Sequence, residues 1–526
     1  MQRLVNYRLV LILALGLLCA GLLLNGHLVP GGDNATYMVL GQSLATMRGY
    51  RMISDPRQPA MALYPPGYPS LVAGMLLLMR NAEQLLAAIL PLKVVSIGFF
   101  LGAITVAYGL FRQRDANLAV LTALLMAVNP ALLHFANEVG TETPYLFLSL
   151  GCIWLFERYS QKPRTAALWS TAALLVVTFY VRTIALVLLV ALVGHLVRQR
   201  KTKQALLLLL VVVAFTAPWF VYTSSLPSTG TSVGLGRGYF ALYFSSDPYG
   251  SERASVQDWL VRILQNLRVY GLEIWPDVLF PHASRMAALL GPVGSLLLTT
   301  MFVLVAVGFV LEARRGSAAE WYVALFYASC IGYLWAQSRL IVPVVPFALF
   351  YFVRAIDHVA SFLARERPRL RVPLLSLVSL LLAWSSTVAT ARGIRHNLRH
   401  GLGNSVDAYY AEDAEWSNYL EAVRWIAAQS GEESAVMCRK ADLLYVLTAH
   451  QALEYPYSME GVELMRAVYD SRAAFVVEDA FTWTRTTQQY LRPALQDWQA
   501  EDPLALALAY ETSAPHTRVW RVTYSD

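Results

Sequence analysis

Leu9–Val29, followed by Pro30-Gly31-Gly32-Asp33-Asn34-Ala35-Thr36-Tyr37, is the stretch on which the reading of this chain turns. The first part is a mainly apolar run long enough to cross a bilayer, which takes about 20 residues. The second part places a carboxylate, Asp33, where that run leaves the membrane. Charge at that depth is costly and marks a functional suspect. A Pro-rich turn follows, Tyr64-Pro65-Pro66-Gly67-Tyr68-Pro69. A second acidic stretch, Asn137-Glu138-Val139-Gly140-Thr141-Glu142-Thr143-Pro144, follows a later apolar run.

Composition agrees with a membrane protein. Of 526 residues, 56% are hydrophobic and 15% charged, against about 25% charged in a soluble domain. Mean hydropathy is +0.46. The net charge of +7 is no nucleic-acid signal, because the cations lie in short clusters between apolar runs. Those clusters orient the chain. Arg3 and Arg8 precede the first run, which reads as a retained helix rather than a cleaved leader. Arg112 and Arg114, then Arg158, Lys162 and Arg164, then Arg198, Arg200, Lys201 and Lys203, then Arg314 and Arg315, then Arg365, Arg367, Arg369 and Arg371 follow later runs. The pattern predicts an α-helical polytopic protein with about eleven spans and outer loops at 30–84, 134–143 and 223–286. The first outer loop reads as amphipathic helices lying on the surface. The segment 166–197 reads either as two short spans or as a re-entrant pair. The four cysteines, Cys19, Cys152, Cys330 and Cys438, have no metal or disulfide spacing and read as small buried hydrophobes.

Residues 1–392 are therefore expected to form the membrane part and 393–526 an α/β domain outside it. In the tail, Ala435–Cys438 and Ala473–Glu478 read as strands, Leu504–Tyr510 and Val519–Val522 as a closing pair, and Glu415–Gln429, Ala441–Thr448 and Thr487–Gln499 as helices.

These motifs resemble the integral-membrane GT-C glycosyltransferases, in the bacterial branch related to protein O-mannosyltransferases and lipid A aminoarabinose transferases. The resemblance rests on the acid and aromatic of the first outer loop, the Tyr-Pro-Pro-Gly-Tyr-Pro turn and Thr141-Glu142-Thr143-Pro144. Val181-Arg182-Thr183 and Ser338-Arg339-Leu340-Ile341-Val342-Pro343 add to it. It covers about residues 5 to 390 in organisation, and the tail is similar to the extracytoplasmic domains of many such proteins. It implies transfer of a sugar from a polyprenyl-phosphate donor to a glycan, lipid or protein acceptor. The place would be the outer face of the bacterial cytoplasmic membrane, and the transfer inverting. One departure stands out: aminoarabinose transferases carry a Lys near the Pro-rich turn, whereas here the turn follows Ala62-Leu63-Tyr64. That speaks against that particular sugar.

The chemistry asks for a base near the acceptor and positive charge near the departing phosphate. Asp33 is the candidate base or acceptor ligand, although Asp is also a good helix N-cap. Glu142, and after it Glu138, is the second carboxylate, although acids also suit a helix start. Arg182 and Arg339 are the candidate phosphate clamps, although arginines at span ends also snorkel to headgroups. Tyr37, Tyr64, Tyr68 and Glu138 complete the substrate-binding set that the resemblance implies. A divalent cation, Mg²⁺ or Mn²⁺, held by Asp33 and Glu142 is a further expectation. The aromatics of the third outer loop suit sugar stacking and a membrane interface equally. A lipid-linked sugar transporter or flippase is the alternative, but its inverted repeats and mid-span charges are not visible.

Overall fold

Asn25 and Gly26 stop the first helix early. The computed structural model describes residues 2–226, 243–246, 253–363, 371–400, 408–429 and 435–524, and helix α1 runs Gln2–Leu23. The chain then descends without helix to Asp33, where α2 (Asn34–Ala45) begins. The Pro-rich turn leads into α3 (Gly67–Leu78). Then come α4 (Ile89–Arg112), α5 (Ala116–Val128), α6 (Pro130–Ala136) and α7 (Glu142–Gln161). They are followed by α8 (Thr165–Val181), α9 (Ala185–Arg198) and α10 (Thr202–Ser225). Helices Pro292–Ala313, Ala318–Gly332, Ser338–Leu363 and Arg371–His400 complete the bundle.

Each of the eleven apolar runs thus holds a helix or a broken helix. Five helices among the described residues are long and apolar enough to cross a membrane alone, and a sixth span results if α5 and α6 are one. Those two meet at a 59° bend. Pro130 causes it: the residue before a proline is driven out of the helical region, and Asn129 is extended and caps the new helix at Leu132. Helices α8 and α9, with 17 and 14 residues, reach about 25 and 21 Å at 1.5 Å per residue. That is short of the roughly 30 Å hydrocarbon core.

Far from the first outer loop, the bundle is tied by a buried ionic cluster. Arg114 contacts Glu157 at 3.3 Å, Glu312 at 3.5 Å and Glu320. Arg354 and Arg315 also reach Glu312, at 3.1 and 3.3 Å. The turn between α4 and α5 and helix α7 are thereby joined to three later helices. Buried charges persist only when paired in this way.

The first outer loop differs from a surface pair of amphipathic helices. Nine of the twelve residues of α2 are buried. The helix is wedged between α3 and helix Ala441–Thr448 of the tail. Thr36 and Ser54 donate to the Asp442 carboxylate at 2.5 and 2.9 Å, and Tyr445 donates to Gln42 at 3.0 Å. A single apolar core runs from Tyr37, Met38 and Leu40 through Val72 to Tyr419, Val423, Val436 and Leu444. Helix Arg371–His400 runs on through residue 393 into the tail.

The tail contains a five-stranded sheet in the order β2-β1-β3-β5-β4. Its strands are β1 (Ala435–Met437), β2 (Ala452–Leu453), β3 (Ala473–Glu478), β4 (Leu506–Glu511) and β5 (Arg518–Val522). Strands β2, β1 and β3 are parallel, while β5 is antiparallel to both β3 and β4. The strands expected from sequence all form, and β2 and helix Gly461–Ser471 add to them.

Asp479, just past β3, is fully buried, and burial pushes its carboxyl up to about 6. The folded chain therefore binds a proton there that the unfolded chain has already lost above about pH 4. Stability from this group falls as pH rises from about 4 to about 6. Asp479→Asn is expected to gain about 1–2 kcal/mol over the parent above pH 6 and to lose that advantage near pH 4. Unfolding midpoints of the two proteins at both pH values check this. An advantage that does not change with pH would place the effect elsewhere.

In the third outer loop, helix Val256–Val269 exposes Val256, Leu260, Val261, Leu264 and Leu267 while burying Arg262 and Asn266. An apolar face turned outward fits the membrane interface. Tyr239, Asp247 and Tyr249 of that loop lie outside the described residues, as do Arg365, Arg367 and Arg369.

Candidate active site

Four separate parts of the fold present the charged groups. Asp33 sits at the N-cap position of α2, but its side chain makes no capping bond. Its carboxylate is left for other partners. Glu142 opens α7, where the helix dipole favours an acid. A Cβ on its neighbour Gly140 would lie 2.7 Å from Glu142 Oε2, so a side chain there would displace the carboxylate. Arg182 ends α8 in an extended conformation. The Pro-rich turn packs against this corner, and only glycine fits at 67, where a Cβ would lie 2.4 Å from the Tyr180 carbonyl oxygen. Arg339 begins helix Ser338–Leu363. Asn266 braces the segment before it, donating to the carbonyls of Ile331 and Tyr333 at 2.8 and 2.7 Å.

These four side chains meet. The Arg339 guanidinium donates from Nε to Glu142 Oε1 at 3.1 Å and from Nη2 to Asp33 Oδ2. Arg182 Nη1 reaches the same Glu142 oxygen at 3.4 Å. One fork therefore bridges two carboxylates, and a second arginine backs one of them. Burial raises the Asp33 pKa, but Arg339, with help from Lys440 and Tyr64, outweighs it and holds the carboxyl below its ordinary value. Asp33 is thus ionised at neutral pH.

Two clefts adjoin the cluster. The first, about 340 Å³, is lined by Asp33, Tyr64, Arg182, Tyr333, Arg339, Lys440 and Trp483, among others. The second, about 380 Å³, is lined by Asp33, Tyr37, Phe135, Glu138, Glu142 and Arg339. The Asp33–Arg339 pair borders both.

The tyrosines form a stack behind the acids. Tyr37 packs edge-on against Tyr64 and Tyr68, with ring centroids 5.1 and 5.2 Å away. Burial, reinforced by Asp33 and Glu142, pushes the Tyr37 hydroxyl up, so it stays neutral. Tyr68 is buried and lines neither cleft. Glu138 lies in a turn rather than on a shared helix face with Glu142, and it pairs with His134 at 2.8 Å. Lys93 donates to Asn25 Oδ1 at 2.9 Å and to the His27 carbonyl at 2.6 Å. It anchors the non-helical descent from α1 to Asp33.

Sequence reasoning missed the tail's share of the site. Arg439, Lys440 and Trp483 line the first cleft. The available signal was a basic pair directly after a predicted strand, since ligands of open α/β sheets sit beyond the carboxyl ends of the strands.

The expected divalent cation does not fit this donor set. The Arg339 fork bridges Asp33 and Glu142, so it holds the place an ion would take. Among the described residues no group of three or more His, Cys, Asp or Glu is placed to hold a metal.

A family model described as dolichyl-phosphate-mannose-protein mannosyltransferase matches residues 64–222. The match begins at the Pro-rich turn and runs through Glu142 and Arg182. No curated protein matches the sequence significantly. Among solved structures, ArnT from Cupriavidus metallidurans bound to undecaprenyl phosphate matches with a TM-score of 0.58 at 14% identity, over 98% of this chain and 98% of that one. The fold is that of the GT-C glycosyltransferases. The GT-C likeness extends to the oligosaccharyltransferase AglB from Archaeoglobus fulgidus, solved with an inhibitory peptide and a dolichol-phosphate. There the TM-score is 0.58 at 12% identity, over 98% of this chain and 74% of that one. An Archaeoglobus fulgidus oligosaccharyltransferase solved in complex with Zn and sulfate matches at a TM-score of 0.57 and 13% identity, over 98% of this chain and 73% of that one. The chain is a multi-pass membrane protein with the GT-C fold.

Proposed function

We propose that this protein is a glycosyltransferase. It moves a sugar from a polyprenyl-phosphate donor to a glycan, lipid or protein acceptor at the outer face of the bacterial cytoplasmic membrane. The tail stands on the outer side. The observation that carries this reading is the Arg339 fork, which bridges Asp33 and Glu142 where two clefts meet. Two substrates can reach the same charge pair from different sides. The relatives' bound undecaprenyl phosphate and dolichol-phosphate support a lipid-phosphate donor.

The residues divide the work. Arg182 and Arg339 hold the phosphate by charge-assisted hydrogen bonds. Asp33, kept ionised, accepts a hydrogen bond from the acceptor hydroxyl and orients it. The acceptor oxygen attacks the anomeric carbon from the face opposite the phosphate. The bond from that carbon to the phosphate oxygen breaks, and the electron pair leaves with the phosphate. As negative charge grows on the phosphate, Arg339 is drawn toward it and away from Asp33. The Asp33 carboxylate then becomes a stronger base and takes the hydroxyl proton. Preorganised charge in a partly water-excluded site makes each of these contacts stronger than in water. Inversion follows from a single displacement.

Deleting the gene is expected to remove one sugar from an envelope glycan, lipid or protein, read by mass spectrometry of the envelope, and the intact gene to restore it. Unchanged covalent composition together with lost movement of lipid-linked sugar across the membrane would sink the transferase reading.

A further inference from the structure

The carboxyl ends of the three parallel strands open on the first cleft. Arg439 and Lys440 follow β1, Glu454 follows β2, and Trp483 lies in the loop after β3. This is the edge at which open α/β sheets bind ligands.

The groups on this edge are not equivalent. Arg439 is engaged within the tail: Nη1 donates to Glu454 Oε1 at 2.7 Å, and the guanidinium lies 5.8 Å from the Trp483 ring centroid. Lys440 reaches out of the tail. Its ammonium donates to the Gly32 carbonyl at 3.4 Å, next to Asp33, and stands 5.4 Å from the Trp483 centroid. Among the described residues Lys440 makes no ion pair, whereas Arg182, Arg339 and Arg439 each do. Trp483 is 51% exposed and lines both clefts. Its ring stacks on Trp416 with centroids 6.1 Å apart, and its exposed part is an apolar platform with a polar edge.

We propose that Lys440 and Trp483 form a phosphosugar subsite supplied by the tail, with the ring seated on Trp483 and the phosphate on Lys440. A half-exposed indole beside an ammonium that makes no direct ion pair, with the Asp33, Glu454 and Asp442 carboxylates in its wider surroundings, matches a ring that carries an anion. The proposal rests on the sugar-transfer reading of the adjoining Asp33–Arg339 centre and deepens it. The phosphosugar has two sources, the head of the lipid-linked donor and a phosphorylated acceptor sugar.

Binding to the purified full-length protein tests this without any transfer reaction. The probes are undecaprenyl phosphate in detergent micelles and mannose 6-phosphate in solution, with plain mannose as the reference. Lys440→Met is expected to weaken at least one phosphate probe about tenfold, the size of one charge-assisted hydrogen bond. Lys440→Arg is expected to stay within about threefold of the parent, since it keeps the charge. Trp483→Leu is expected to weaken mannose 6-phosphate about tenfold and undecaprenyl phosphate, which carries no sugar, little. A loss confined to the lipid probe assigns the lysine to the donor, and a loss confined to the soluble probe assigns it to the acceptor. Unchanged affinity for both probes in Lys440→Met overturns the proposal. Should that variant not fold, unchanged mannose 6-phosphate affinity in Trp483→Leu overturns it instead. Absence of any sugar transfer by the parent protein would fell the transferase reading alone and leave this binding result to stand by itself.

Discussion

Asp33→Asn is expected to lower sugar transfer by about 10²–10⁴-fold, the range lost with a general base, while the protein still folds and inserts. The amide keeps the shape of the carboxylate and can still accept from Arg339 Nη2. It cannot take a proton from the acceptor. The structural cost is small, about 1 kcal/mol, because the Asp33 and Arg339 side chains are 26% and 25% exposed and Glu142 stays as an acid partner of the guanidinium. The measurement is the initial rate of label transfer from a polyprenyl-phosphate sugar by the reconstituted protein, alongside its unfolding midpoint. Full activity would remove Asp33 from the mechanism. A raised KM with kcat intact would make it a positioning group, as for an acceptor that is already an anion.

Arg339 carries the second large effect, on both rate and stability. Arg339→Met removes the guanidinium that bridges Asp33 and Glu142, leaving Arg182 3.4 Å from Glu142 and Lys440 and Tyr64 beside Asp33. Breaking a partly buried pair from one side costs about 2–4 kcal/mol, and transfer should fall below detection. The loss has a sign in pH. Without the guanidinium, the Asp33 carboxyl is no longer held below its ordinary value. The variant's deficit is therefore fully present at neutral pH and shrinks as pH falls into the range where the carboxylate, pushed up by burial, takes up a proton. Arg339→Lys separates charge from geometry. An ammonium is a point charge and cannot reproduce the Nε and Nη2 bonds together. Lysine should recover much of the stability but leave transfer at least about tenfold down, because one missing charge-assisted bond is worth that much. A lysine variant with parental kcat and KM would show that charge alone suffices.

Much of this site was legible because its parts are local. Asp33 follows an apolar run, Glu142 precedes Thr143-Pro144, and Arg182 and Arg339 stand at the ends of runs with few other charges nearby. Each position can be read from hydropathy and charge over a short window. The bend at Asn129-Pro130 is equally local, since the proline alone dictates it. The early stop of α1 at Asn25-Gly26 escaped notice because His27, Leu28 and Val29 continue the apolar run without continuing the helix.

Other features could not be read from a window at all. The burial of α2 depends on packing between α3 and a tail helix some 400 residues away in the chain. Its own sequence looks like a surface helix. Lys440 and Trp483 reach the cleft only because the sheet brings the turns after β1 and β3 to the same edge. The cation at the two acids was equally out of reach of a window, since two acids at one membrane surface suit a cation equally well whether it is Mg²⁺ or a guanidinium. Only the folded chain shows that Arg339 takes the place.

The sequence by itself determined that the chain is a multi-pass membrane protein, that acids and arginines stand at the ends of its apolar runs, and where the α/β tail begins to form strands. These are properties of hydrophobic period, run length and charge placement, and they need no knowledge of distant neighbours. Tertiary structure alone decided that Asp33, Glu142, Arg182 and Arg339 share one network, that two clefts meet there, and that the tail closes one of them. Ion pairs are decided by ångström separations, and those separations arise from the packing of helices and a sheet that lie hundreds of residues apart along the chain.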